Sequence, residues 1–506
     1  GRMATATCVA ASVCKAVGCS SVIWHPVASI IVVAGTAVLF ALSLCWALFS
    51  LRCHRTVQSN GLTDMQCSLP LPKISVVTPI KGIHVESLDN WRSVLNTEYG
   101  GDIEFIFVVE ADDDPAFAPL KQLQNEALQS CAKNLTAVKV AVAGLSFHCS
   151  QKIHNMLEGL SLVDDTSKYV LFLDDDVGLY RNTFRDLVSE MESDPEVFVA
   201  TGFPFDWMPS QDVPFPSYLK LVYRWTSLVL LWQRRVPVVW GGCMLMRRQD
   251  LHSNKYGMME AWRSHGYSDD MIVGGVCHKE GLAIALPSSC IFPHKLGSHD
   301  TFENYWNFTC RQMFVLTTYH HLAERVQNYI LLFGVSMTLP VVCVVSMALT
   351  LARSVCLLAS GLPNCHQCQF QGHLWLMVAA WAAYLAIGLS VRATTLSATA
   401  LINCLLPQRA RIPVVTPCVL RAIVAFVVHH CFLPLGAIFA FVANSVVWSN
   451  VRYYVNRGRV VRVVRHTPEG LVMSQPADKS LAGARARHAE RSFLVSPYDD
   501  TPATSP

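Results

Sequence analysis

Charge is what this 506-residue chain has least of: Asp, Glu, Lys and Arg together make up 15% of it, against roughly 25% in an average soluble protein. With 52% hydrophobic residues and a mean hydropathy of +0.32, this excludes a disordered chain and a wholly water-soluble one. A formal net charge of only +3 argues against a nucleic-acid partner, which needs clustered basic residues. The 19 cysteines lack the regular spacing of a disulfide scaffold and read as small buried hydrophobes scattered through apolar stretches. Cys365 and Cys368 have CxxC spacing but no second pair at zinc-finger distance, which favours a disulfide or two free thiols over a metal site. The first apolar run has no small-residue cleavage site after it, so a membrane anchor fits better than a signal peptide.

What is present is unevenly placed. Residues 22–50 run almost without charge and are long enough to cross ~30 Å of hydrocarbon as a helix. Arg52, His54 and Arg55 follow directly, which predicts residues 1–21 in the lumen and the chain after Arg52 in the cytosol. Residues 71–319 read as a globular domain. Apolar runs return at 329–352, 374–391 and 419–448, giving a multi-span region over 329–448. Three crossings would leave the tail, 449–506, in the lumen, which Arg452, Arg457, Arg459, Arg462 and Arg465 oppose. The weakly apolar stretch 394–406 is the candidate for a further crossing or a re-entrant turn that keeps this basic tail cytosolic. From Glu469 onward the composition predicts a disordered end.

Within 71–319, short apolar runs alternate with helical stretches. The run 73–78 closes at Pro79 and Gly82. The run 104–109 ends at Glu110 and Asp112-Asp113-Asp114-Pro115. After 138–142 comes 169–173, which ends in Asp174-Asp175-Asp176. This predicts an α/β fold with a mostly parallel sheet covered on both faces, binding its ligand beyond the carboxyl ends of the strands.

Three adjacent carboxylates repel one another where the local dielectric is low. A divalent cation carrying a diphosphate would relieve that repulsion, since Mg2+ takes one or two carboxylates plus phosphate oxygens. A solvated turn with Asp as a helix cap is the competing reading. Asp114-Pro115 reads equally as an N-cap with proline at N1 or as part of a ligand site. Asp269-Asp270 precede the apolar helical stretch 271–276, so one carboxylate is a candidate cap and the other a candidate general base. Trp240-Gly241-Gly242-Cys243 reads as a sugar contact or as a tight turn with a core tryptophan. Lys152, in Ser150-Gln151-Lys152-Ile153-His154-Asn155, opens a helix and is either a phosphate partner or an exposed lysine.

The motifs also have an order. A membrane anchor leads to Ser75-Val76-Val77-Thr78-Pro79-Ile80-Lys81-Gly82, then to Val108-Val109-Glu110 with Asp113-Asp114-Pro115-Ala116 and to the Lys152 motif. Phe172-Leu173-Asp174-Asp175-Asp176-Val177, Trp240-Gly241-Gly242-Cys243-Met244, Gly266-Tyr267-Ser268-Asp269-Asp270-Met271 and Phe292-Pro293-His294 follow. This series resembles the ceramide glucosyltransferase family, inverting enzymes of GT-A fold, and in particular its plant-type branch. The likeness covers about 71–319 and, more loosely, the anchor and the C-terminal spans.

The resemblance implies glucose transfer from UDP-glucose to the primary hydroxyl of ceramide, giving β-glucosylceramide and UDP. It also implies a multi-pass membrane protein of the Golgi or endoplasmic reticulum with its catalytic domain facing the cytosol. Asp270 is then the general base, and Asp174 and Asp176 hold Mg2+ or Mn2+. UDP-glucose contacts fall to Pro79, Lys81, Glu110, Asp113, Lys152, Asp174 and Asp175. Sugar and acceptor contacts fall to Trp240, Gly241, Gly242, Asp269, His294, Trp306, Arg311 and Gln312. Of the family's three signature aspartates, the second and third match Asp174 and Asp270. Ala111 stands where the first is common, leaving Glu110 or Asp113 as its substitute. The closing Q/R-x-x-R-W element becomes Arg311-Gln312-Met313-Phe314-Val315, without its Arg-Trp ending.

Trp306, Phe308, Phe314 and Tyr319 precede the first C-terminal span, where an interfacial helix would meet the lipid. His429-His430, inside an apolar run, read as hydrogen-bonded packing or as an acceptor contact. The rival functions are a processive polysaccharide synthase of the same fold, which relies on an intact Q-x-x-R-W, a dolichol-phosphate glycosyltransferase, and a non-catalytic membrane protein that binds sugar nucleotides.

Overall fold

A computed structural model describes residues 26–60, 71–318 (apart from 85, 130–133, 229, 230 and 298), 322, 326, 330, 339–360, 374–406, 411–466 and 472–476. The expectations for residues 1–21, Tyr319 and the Cys365–Cys368 pair lie outside these. The chain begins with α1 (Pro26–Asn60), β1 (Ile74–Pro79), α2 (Ser87–Leu95), β2 (Ile103–Val109), α3 (Phe117–Gln129), β3 (Leu135–Val142), α4 (Gln151–Ser161) and β4 (Tyr169–Leu173). Next come α5 (Thr183–Ser193), β5 (Val197–Thr201), β6 (Phe203–Trp207), α6 (Phe215–Leu228), β7 (Cys243–Arg247), α7 (Arg248–His252), α8 (Met258–Arg263) and α9 (Asp269–Glu280). Then follow β8 (Ala283–Ala285), β9 (Ile291–Lys295), α10 (Phe302–Val315), α11 (Leu339–Ser360), α12 (Leu374–Leu405), α13 (Val419–Val442), β10 (Ser445–Trp448), β11 (Val451–Asn456), β12 (Arg459–His466) and β13 (Val472–Pro476).

β1, β2 and β4 are buried throughout, as strands covered on both faces must be, and mostly apolar; buried Glu104 on β2 is met by the Ser75 hydroxyl and by Lys139. Seven strands form one sheet in the order β3-β2-β1-β4-β7-β5-β8, parallel except for β7, which runs antiparallel to β4 and β5. This is the mostly parallel α/β sheet expected of a GT-A domain. The chain winds outward from β1 through β2 to β3 and then returns to place β4 on the other side of β1. That reversal opens a crevice at the carboxyl ends of β1 and β4, the position at which open α/β sheets take ligands. A separate parallel pair, β6–β9, stands beside the sheet.

Among the described residues three helices are long and apolar enough to cross a membrane: Ser29–Ser59 within α1, Met377–Leu405 within α12, and Val419–Val442, which is α13. Residues 394–405 continue α12 without a break, so the stretch expected to make a separate crossing or a re-entrant turn is the end of one long helix. There α12 lies along α1, with the hydroxyls of Ser50 and Ser397 2.7 Å apart and Thr394 donating to the Trp46 carbonyl at 3.2 Å. Arg52, read from the sequence as an orientation signal, also clamps the anchor to the catalytic domain. Its guanidinium donates to the carbonyls of Leu231, Gln233 and Leu286 and to the Ser288 hydroxyl.

The C-terminal tail departs from its expectation. Residues 449–466, expected as a basic tail, and 472–476, within the end expected to be disordered, join 445–448, expected as the end of the apolar span 419–448, in a four-stranded antiparallel sheet in the order β10-β11-β12-β13. The rest of the end expected to be disordered lies outside the described residues. Two tight hairpin turns build it, at Ser449-Asn450 (φ 47° and 61°) and Arg457-Gly458 (φ 50° and 75°). Positive φ at both central residues matches the twist of the flanking strands. Val451, Tyr453, Val460 and Val463 bury this sheet against Tyr267, Phe314 and Leu433, between the catalytic domain and α13.

Candidate active site

The end of β4 carries the densest charge. Ser150 caps α4, its hydroxyl accepting from the Ile153 amide, and so fixes Lys152 in the first turn. A cation at a helix N-terminus is disfavoured by the helix dipole. Two carboxylates offset this: Lys152 Nζ lies 2.8 Å from Asp174 Oδ1 and 3.1 Å from Asp269 Oδ2, and it donates to the Gly241 carbonyl at 3.1 Å. The Gly241-Gly242 backbone ties in the rest. The Gly241 amide donates to Asp270 Oδ2 at 3.2 Å, and the Asp174 amide donates to the Gly242 carbonyl at 3.0 Å. A side chain at Gly241 would come within 2.7 Å of Asp269 Oδ2, and one at Gly242 within 2.2 Å of the Trp240 ring. Both glycines are therefore required by close approach, and Trp240 packs on this turn and on Phe292.

Lys152, Asp174, Trp240, Gly241, Gly242, Asp269 and Asp270 thus converge from four stretches of sequence. Asp175 is half-buried and Asp176 exposed at the same strand end. Burial pushes the Asp174 carboxyl up to about 7 against the pull of Lys152, with repulsion from Asp176 and Asp269 adding to the rise. Burial and the adjoining aspartates raise Asp175 as well, and burial raises Asp269 against Lys152. The two members of the Asp269-Asp270 pair differ. Asp269 is buried and ion-paired, whereas half-buried Asp270 accepts from neutral donors: the Ser268 hydroxyl at 2.5 Å, the Met271 amide at 2.8 Å and the Gly241 amide.

The end of β2 has the opposite balance. Glu110 lies 2.5 Å from Lys81 Nζ through one oxygen and 3.0 Å from the Arg465 guanidinium through the other. Burial would raise this carboxyl, but the two cations outweigh it and hold it below its usual range. Pro79 closes β1 beside it. Asp114 accepts from the Ala116 amide at 2.9 Å and from the Gly82 amide at 3.0 Å, so its side chain acts as a cap and joins the loops after β1 and β2. Asp113 is exposed.

The remaining candidates make no direct contact with Lys152, although Asp176 acts electrostatically on His294. His294, on β9, pairs with buried Asp206 at 3.3 Å, and Asp206 also meets Arg224 at 3.4 Å. The hydrogen bond to Asp206 raises the His294 imidazole above its ordinary value against an opposing desolvation. Trp306, Arg311 and Gln312 are on α10, which packs on α13 and α6. Trp306 faces Phe432, and Phe314 meets the Tyr267 ring, one residue from Ser268. His429 bonds the Tyr305 hydroxyl at 2.8 Å and His430 the Phe426 carbonyl at 2.7 Å, which is the packing alternative read from sequence. Sequence reasoning missed Asp206, Arg224, Ser268, Tyr453 and Arg465. For the last two the available signal was weak: many valines and tyrosines on either side of Arg457-Gly458, a strand-like composition without a clean two-residue alternation.

No curated protein matches this chain. Among solved structures it is similar to the mannosyltransferase PcManGT from Pyrobaculum calidifontis in complex with GDP-Man and Mn2+, at 13% identity and a TM-score of 0.39, over 70% of this chain and 97% of that one. Residues 35–360 match the model of glycosyl transferase family 21, and the chain belongs to that family, the ceramide glucosyltransferase family.

Proposed function

We propose that this glycosyltransferase moves glucose from UDP-glucose to the primary hydroxyl of ceramide with inversion, releasing UDP. The observation that carries the reading is the convergence at Lys152, which holds Asp174 and Asp269 together beside the Gly241 amide that orients Asp270. An alcohol is a poor nucleophile at neutral pH, and a positioned base contributes about 10²–10⁴ in rate. Asp269 is engaged by Lys152, which leaves Asp270 as the carboxylate able to take the ceramide proton. Its three neutral donors fix its direction without adding a cation beside it. A single in-line displacement inverts the sugar and needs no second carboxylate as nucleophile.

The donor chemistry fits a divalent metal. Asp174 and Asp176 offer hard carboxylate oxygens at a strand end. Among the described residues no group of three metal-ligating side chains occurs, so phosphate oxygens of the nucleotide would complete the shell. When bound there, Mg2+ or Mn2+ would neutralise charge gathering on the departing UDP. Lys152 and Lys81 are the chain's own cations on either side of the crevice, suited to the diphosphate. Glu110, Asp113, Asp175 and His294 are proposed donor contacts, and Trp240, Trp306, Arg311 and Gln312 sugar or acceptor contacts.

Ceramide stays in the bilayer, because each buried methylene is worth about 0.8 kcal/mol. α10 joins the site to the spans, touching Tyr267 through Phe314 and α13 through Tyr305. Contact between the C-terminal sheet and the catalytic domain supports both lying on one side of the membrane, with an even number of crossings between Thr318 and Ser445. The arginines of that sheet favour the cytosol, and the resemblance favours the Golgi or endoplasmic reticulum. The test is incubation with labelled UDP-glucose and ceramide, with and without chelator. A single-sugar lipid made only without chelator is expected, and a polymer would refute the reading.

A further inference from the structure

The C-terminal sheet reaches into the crevice with its one buried arginine. Arg465, 5% exposed on β12, meets Glu110 Oε2 at 3.0 Å, donates to the Ser146 carbonyl at 3.3 Å and to Gln151 Oε1, and stacks 5.8 Å from the Phe147 ring centre. Tyr453, 1% exposed on β11, accepts from the backbone amide of Gln151 at 3.1 Å. Gln151 is the first residue of α4 and directly precedes Lys152. Its side chain is also fixed, donating to the Gly144 carbonyl at 2.8 Å and to Asn155 Oδ1 at 2.7 Å. One guanidinium and one phenol from the far end of the chain therefore bridge the end of β2 to the helix turn that presents Lys152.

Holding the sheet in place does not require this charge. The apolar contacts of Val451, Val460 and Val463 already bury it, and a buried ion pair is a weak source of stability compared with well-packed hydrophobic residues. What it supplies is geometry: Arg465 fixes where the Glu110 carboxylate sits, and the Tyr453 hydroxyl satisfies an amide in the open first turn of α4. We propose that Arg465 and Tyr453 are positioning residues for the nucleotide-sugar site, acting through Glu110 and Gln151 without touching the ligand. This rests on the reading of that site as one for a nucleoside diphosphate sugar, so the test separates the two.

UDP binding to the full-length chain in detergent is measured by calorimetry, beside UDP-glucose and ceramide KM values and melting temperature. R465M is expected to weaken UDP binding about tenfold, the loss of one charge-assisted contact network, and to raise the UDP-glucose KM alike, with the ceramide KM unchanged. R465K should recover part of this. In an E110L/Q151L background R465M should add little, because both side chains through which Arg465 acts are then gone. Y453F, which removes a single hydroxyl, should weaken UDP binding by about threefold and decides the matter if R465M does not fold. The inference is overturned if R465M and Y453F bind UDP as wild type does, or if R465M has the same effect in the E110L/Q151L background as in the wild-type one. A wild-type chain that does not bind UDP overturns the proposed function, and this inference with it.

Discussion

Two strand ends of one sheet handle charge in opposite ways. At the end of β2, one carboxylate, Glu110, is shared by two cations, Lys81 and Arg465. At the end of β4, one cation, Lys152, is shared by Asp174 and Asp269, with Asp175, Asp176 and Asp270 close by. The backbone device is the same in both places, a buried apolar strand that stops at an acidic turn. The first site has its carboxylate paired through both oxygens, with one positive charge to spare. The second has more carboxylate than the chain itself neutralises, and burial strains that excess far enough to move Asp174 to about 7. That excess is why the proposed metal and the proposed proton removal are assigned to the second site. The first is suited to holding a part of the ligand that needs fixed geometry.

The sharpest way to break this comparison is at Asp270. D270N should lower glucosyl transfer by about 10²–10⁴ while UDP binding, which draws on Lys152, Asp174 and Glu110, stays close to wild type. D269N should instead release Lys152 and disturb binding. Equal kcat losses with unchanged binding in both would erase the division of labour drawn between the two neighbours.

The two lysines give the next contrast. K152M leaves Asp174 and Asp269 together without their cation in a site where Lys152 is only 13% exposed. Removing one partner from a buried pair costs about 3–5 kcal/mol, so the melting temperature should fall clearly, and K152M/D269N should recover part of it. K81M leaves Glu110 with Arg465, and Lys81 is 30% exposed, so its loss should stay within about 1 kcal/mol. Comparable melting shifts for the two variants would show that the charge excess at β4 is not the strained one.

How much of this was legible in the sequence follows from which signals are local. β1, β2 and β4 could be read because a strand buried on both faces is a mostly apolar run, and the acids after it stand out against it. The anchor and α13 were legible by length alone. The C-terminal sheet was not. Arg452, Arg457, Arg459 and Arg462 resemble a solvated tail, and the two-residue alternation is broken by a register shift at Tyr454/Val455 and by Arg465 pointing inward. The partners of Lys152 were illegible for a different reason. Asp174 comes from the end of β4 and Asp269 from the start of α9, and the Gly241 carbonyl precedes β7, which inserts antiparallel next to β4; no local pattern encodes that these meet at Lys152. The choice between Asp269 and Asp270 likewise depends on which one the helix start turns toward Lys152.

A smaller effect isolates the third acidic centre, Asp206 with His294. The hydrogen bond to Asp206 raises the His294 imidazole above 6.5, the ordinary value it would have in the unfolded chain. A raised histidine contributes stability that is fully present below pH 6.5 and is lost as pH climbs through the folded value. The wild-type melting temperature should therefore slip as pH rises above 6.5, and H294N should flatten that part of the curve. Because His294 is exposed, the change should be modest, and an unaltered profile in H294N would remove the charged pair from the account.

The smallest expected signal is none at all, and it bears on which side of the membrane both strand ends face. Asn134-Leu135-Thr136 and Asn307-Phe308-Thr309 are both glycosylation sequons, but they are not equally informative. Thr309 is fully buried in α10, so the second sequon is shielded by the fold wherever the domain lies. Asn134 is exposed in the turn before β3, with a φ of 73°. A domain facing the cytosol leaves Asn134 unmodified, and glycosidase treatment should not change the mobility of the full-length chain. An engineered Asn134→Gln chain running faster than wild type would mean that the site carries glycan. The catalytic sheet and the C-terminal sheet docked on it would then both be lumenal.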